Sequence, residues 1–229
     1  MPFTLDCSRY LLPTPAGAFH AAASAPDLPG NPLRRFVTAL LQDIETPRIS
    51  REGICRWSGI ENPDAALEFF WRMQELGWVQ ALDAPRAAPT GKIETILGEL
   101  LPHLTHGGKA LLADAHGFYL SSYRFSHEVA EELSALSADL ASLHQRRSGS
   151  LNTNLGLSGG AWGLLDAAGQ SQLGFWPIHA ANARFVLIIS GMPTFNQPEM
   201  VDLVWVLHRR YAEFNTQFNV ATKELSNAS

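Results

Sequence analysis

Residues 185–190, Phe-Val-Leu-Ile-Ile-Ser, constrain this chain more than any other stretch. Strand side chains alternate between two faces, and this run is apolar on both. It therefore belongs in the middle of a sheet. Two further strands precede it, AWGLLDA and QLGFWPI, flanking a turn at Ala168-Gly169. Upstream, KALLAD and FYLSSY flank Ala115-His116-Gly117, a second hairpin with glycine at its turn.

Helical stripes surround these strands. Ile93, Ile96, Leu97, Leu100, Leu101 and Leu104 recur at three-to-four spacing over Lys92 to Thr105, and Pro102 limits that helix. Ser126 caps a long helix whose Val129, Leu133, Leu136, Leu140 and Leu143 share one face. Asn196, with Glu199 three residues on, reads as the capping box of a last helix. Met200, Leu203, Val204, Leu207, Tyr211 and Phe214 form its stripe. Residues 148–160, SGSLNTNLGLSGG, read as a flexible loop, and 221–229 as a polar tail.

The resulting order is helix, strand, strand, helix, strand, strand, strand, helix. With "GKALLADAHGFYLSSY" and "AWGLLDAAGQSQLGFWPI…RFVLIISG", each hairpin turning on Asp-x-x-Gly, this resembles the Roadblock/LC7 family over about 92–215. The resemblance implies an antiparallel five-stranded sheet with helices on both faces, in a domain spanning 91–220. It also implies a dimer that pairs the long helix and joins sheets at the third strand. Such domains serve as scaffolds or regulators of Ras-like small GTPases, or of motor and signalling complexes, without chemistry of their own.

The first part of the chain has another organisation. Residues 1–30 are rich in Pro and Ala and read as a loose arm. From Asn31-Pro32, Leu33, Phe36, Val37, Leu40, Leu41 and Ile44 form a helical stripe ended by Thr46-Pro47. Ser50 caps a short helix with Ile54 and Trp57 inward, closed by Gly59. Asn62-Pro63-Asp64 opens a third, with Ala66, Phe69, Phe70, Met73 and Leu76 apolar, stopped by Gly77. WVQAL then alternates as a strand. This pattern resembles a winged helix-turn-helix over about 31–84, joined through the hinge LDAPRAAPTG to the second module. The overall fold class is α+β, in two separately folding modules. DNA binding is the obvious inference, but Glu61, Asp64, Glu68 and Glu75 outnumber Arg72 on the candidate reading helix. DNA affinity rests on neutralising phosphates, so contact with protein is the expectation.

Catalytic readings fare worse. Gly156-Leu-Ser158-Gly-Gly160 matches G-x-S-x-G, with Asp202 and His208 following in the order a hydrolase triad needs. A nucleophile elbow follows a buried strand and opens a helix. Here a loop precedes Ser158 and a strand follows it. Asp202 and His208, six apart on one helix, point away from each other. The "LSGG" string matches the signature loop of transporter ATPases, but no G-x-x-x-x-G-K-[ST] accompanies it. His103, His106, His116, His127, His144 and His179 lack metal-ligand spacing on a helix. No catalytic, cofactor or metal residue is expected.

Cys7 and Cys55 lie far apart, which argues against a disulfide framework and fits a reducing cytoplasm. No apolar run is long enough to span a bilayer, and the first residues lack the pattern of a signal peptide. The net charge of −5 argues against a polyanion as main partner. What remains is protein–protein contact. Beside the leucines of the long helix run Ala130, Ser134, Ser137 and Ala141, small enough for a second helix to approach. With Ala161, Trp162 and Leu164 of the third strand they make the expected homodimer interface. The large residues are expected to face the sheet. A Ras-like small GTPase or another signalling protein is the further partner implied by the resemblance. The alternative is a DNA-binding transcriptional regulator with a Roadblock-like dimerisation or sensing domain.

Overall fold

The computed structural model describes residues 5–24, 32–157 and 159–226, with 213–226 as backbone only. In chain order the elements begin with β1 (Tyr10–Pro13), α1 (Pro15–Ala23), α2 (Pro32–Leu40), α3 (Arg51–Ser58), α4 (Pro63–Glu75) and β2 (Val79–Leu82). There follow α5 (Ile93–Leu100), β3 (Lys109–Asp114), β4 (Tyr119–Tyr123) and α6 (His127–Gly149). The chain then runs through β5 (Trp162–Leu165), β6 (Ser171–Ala180), β7 (Ala183–Ser190) and α7 (Pro198–Ser226).

Five strands form one antiparallel sheet in the order β4-β3-β7-β6-β5. The doubly apolar run is its central strand. Phe185, Leu187 and Ile189 of β7 enter the cluster on one face, Val186 and Ile188 the cluster on the other. Helices α1, α5 and α7 cover the first face, and α6 covers the second. The third strand of the expected domain, β5, is an edge strand paired only with β6 among the described residues.

The Pro/Ala-rich arm is not loose where it is described. β1 pairs antiparallel with β2, from Tyr10 opposite Leu82 to Pro13 opposite Val79. The strand after the third helix is thus closed by the N-terminal strand. Thr14 caps α1, its Oγ1 accepting from Gly17 N at 3.1 Å and donating to the Gly77 carbonyl at 2.6 Å. Ala18, Ala21 and Ala22 are buried against the sheet and α7. Gly17 permits the approach, since a Cβ there would lie 2.1 Å from the Trp78 carbonyl oxygen. Composition hid this helix. Apart from Phe19 and His20 it consists of alanine, proline and glycine, the residues that build linkers. Alanine is nonetheless the best helix former, and proline suits the first turn.

Several boundaries also shift. α2 ends at Leu40, so Ile44 leaves the helical stripe and is exposed. The expected cap Asn31 lies outside the described residues. Leu76, at the end of α4, is exposed as well. α7 starts at Pro198, which puts Asn196 one residue outside the cap position. Helix α6 and a π-helical turn at Ser150–Asn154 take in the first part of the expected loop, and α7 runs on to Ser226 through most of the expected polar tail.

The hinge is pinned. Thr46 N donates to the Arg86 carbonyl, Arg86 N to Thr46 Oγ1 and Ala88 N to the Ile44 carbonyl, all at 2.8–2.9 Å. Ala88 is buried. Arg86 also reaches Asp202 of α7 at 2.6 Å. Trp205, fully buried in α7, donates its indole N–H to the Asp43 carbonyl at 2.9 Å. Arg34 of α2 donates to the Ala21 and Ser24 carbonyls at the end of α1. One continuous buried cluster therefore crosses the boundary expected between two modules, from Phe36 and Met73 to Leu187 and Trp205.

Candidate interaction surface

Helix α6 forms because its 23 residues, HEVAEELSALSADLASLHQRRSG, are dominated by strong helix formers and contain no proline. Glu128 in the first turn and Arg146 and Arg147 in the last oppose the helix dipole favourably. The helix crosses the sheet diagonally. Near its start the Tyr119 hydroxyl of β4 lies 2.8 Å from His127 Nδ1. Near its end the His144 ring meets the Trp162 ring of β5 edge-on, with centroids 6.3 Å apart.

Its two stripes are reversed from the sequence expectation. Ala130, Ser134 and Ser137 are fully buried on the chain's own sheet, and Ala141 is half-buried. The serines tolerate this position because each hydroxyl is satisfied locally. Ser134 Oγ donates to the Ala130 carbonyl and Ser137 Oγ to the Ser134 carbonyl, both at 2.7 Å. Small side chains let the helix sit close to the sheet. The β3–β4 turn tucks beneath it at Gly117, where a Cβ would come within 3.2 Å of Ala135 Cα. The large residues form the flank and the outer surface. Leu133 and Leu140 are half-buried, while Val129 and Leu136 are 40% and 39% exposed. Periodicity found both stripes. It could not say which faced inward, because that depends on how closely the helix approaches the sheet, with Leu133 and Leu140 packing only at its flank.

The β5 edge continues this surface. Trp162 is half-buried and packs into the small cluster with Phe175 and Leu173. Leu164 and Leu165 are 57% and 65% exposed, and Ala161 is exposed beside them. Leu155 and Leu157, on the connection leading to β5, are exposed too. Among the described residues, six of the eleven large exposed apolar side chains therefore lie on α6, β5 or the connection between them. Sequence reasoning did not single out Leu165 of β5, and it turned Val129 and Leu136 of α6 toward the sheet, whereas all three are exposed.

Asp202 and His208 do not pair with each other; each has another partner. Ser158 lies outside the described residues. Asp202 is held by Arg86, and burial raises its carboxyl above the usual range despite that partner. His208, buried in the same helix, accepts a hydrogen bond from Ala181 N at 2.9 Å through Nδ1. Burial, reinforced by the nearby Arg34 charge, pushes its pKa down to about 4. Ala181 opens the β6–β7 turn with φ +51°, a conformation costly for a side chain with Cβ. The histidine thus acts as a neutral acceptor that holds this turn. Among the described residues, no group of three His, Cys, Asp or Glu is placed to hold a metal, and no helix is long and apolar enough to cross a membrane.

On the outer face of α4, Asp64, Glu68 and Glu75 are exposed, and Arg51 of α3 approaches Asp64 at 3.7 Å. This face is acidic in the fold as well as in the sequence.

No family model matches the chain, and no curated protein does. Solved structures similar to it are Roadblock/LC7 domain proteins over about half its length. A Roadblock/LC7 domain from Streptomyces avermitilis is 15% identical, with 54% of this chain and 99% of that one covered at a TM-score of 0.38. The gliding protein MglB from Thermus thermophilus is 17% identical, with 55% and 95% covered at 0.36. Myxococcus xanthus MglB is 14% identical, with 53% and 94% covered at 0.33.

Proposed function

We propose that this chain is a non-enzymatic, cytoplasmic adaptor or regulator that works as a homodimer through the α6–β5 surface. The observation that carries the reading is the edge strand β5. Its outer backbone groups have no strand partner among the described residues, and Leu164 and Leu165 stand exposed beside it. Unprotected edges of this kind invite pairing. A second copy that pairs β5 with β5 brings the later turns of each α6, which end against Trp162, toward the same contact. A stable interface takes about 800 Å² per partner, and a strand plus a helix flank offers surface on that scale. Ala141, Ala161, Trp162 and Leu164 stay in this proposal, with Leu165 and Leu136 added. Ala130, Ser134 and Ser137 leave it, since they are buried on the chain's own sheet.

The family resemblance of the strand and helix order makes a Ras-like small GTPase the first partner to try. The N-terminal part is read as a winged-helix-like contact module. The carboxylates along α4 argue against DNA, which would have to approach that face. Analytical ultracentrifugation of the full chain at micromolar concentration tests the dimer. Leu164→Lys combined with Leu136→Glu is expected to sediment as a folded monomer. A wild-type chain that is monomeric throughout, or a doubly charged variant that remains dimeric, removes the reading.

A further inference from the structure

We draw no further inference here: the strongest candidate, the outer face of α4 where the carboxylates of Asp64, Glu68 and Glu75 accompany the exposed side chains of Trp71 and Leu76, carries nothing because nothing in the structure shows what covers it.

Discussion

The two faces of the central sheet are built to different standards. One lies under α1, α5 and α7 and merges with the helices of the N-terminal part in a single large cluster that includes Phe36, Trp57, Leu187 and Trp205. The other carries one helix and six buried hydrophobic residues. The first face is closed by hydrogen bonds and an ion pair from distant segments, such as Trp205 to Asp43 and Arg86 to Asp202. The second ends at an open strand with leucines in water. Buried packing is concentrated on one side, and an exposed apolar edge lies on the other.

The largest effect should come from breaking the closed face. Trp205→Ala removes a fully buried indole and its hydrogen bond, and should cost about 3–5 kcal/mol in urea unfolding. The wild-type chain should unfold in one transition seen by both near- and far-ultraviolet circular dichroism, because the two halves share a core. Two separated transitions would instead support independent modules.

Next comes pH. His208 has a folded pKa of about 4 against an ordinary 6.5, so the unfolded chain binds the proton more tightly. Its contribution is complete above about pH 6.5 and is lost as pH falls toward 4, amounting to about 3 kcal/mol. Asp202 opposes this, since its raised carboxyl makes the folded state the better proton binder above the ordinary aspartate value. Urea midpoints from pH 7 to 4.5 should therefore fall, and fall less in His208→Gln, which can still accept from Ala181. An unchanged slope in that variant assigns the pH dependence elsewhere.

Gly17→Val tests the contact between α1 and β2. The new Cβ would meet backbone at 2.1 Å, so a loss of about 1–3 kcal/mol is expected in thermal melts. On the open face the same measurement should barely move. Leu164→Lys and Leu165→Lys are each expected to change monomer stability by no more than about 0.5 kcal/mol while lowering the sedimentation coefficient. Limited proteolysis sharpens the contrast further. Cuts should appear first at 155–161 and not at the pinned segment 83–91.

Much of this contrast was legible beforehand. The unbroken apolar run in FVLIIS named the central strand, because only a covered strand can be apolar on both faces. The two Asp-x-x-Gly turns marked both hairpins, and in each the Asp side chain accepts from backbone amides within the turn. The tertiary joints were not legible. An alanine helix such as α1 looks like a linker until its neighbours are known. Nothing in LDAPRAAPTG announces that Arg86 will find Asp202, 116 residues away. On α6, spacing defined two stripes, but the choice between them depended on the shape of the sheet. Spacing therefore put the small stripe outward on α6, where the fold buries Ala130, Ser134 and Ser137 against the sheet.

The position of α1 also bears on how the chain assembles. Residues 15–23 are made before β6 and α7, on which they rest, and these begin 156 and 183 positions after Pro15. Such distant contacts form late and leave early segments waiting. A leucine-faced helix in that situation would be adhesive. The alanines of α1 expose little apolar area while they wait, and Gly17 lets them dock closely once the sheet exists. The segment that reads as a plain linker is suited to be the last piece set in place, once β6 and α7 have been made.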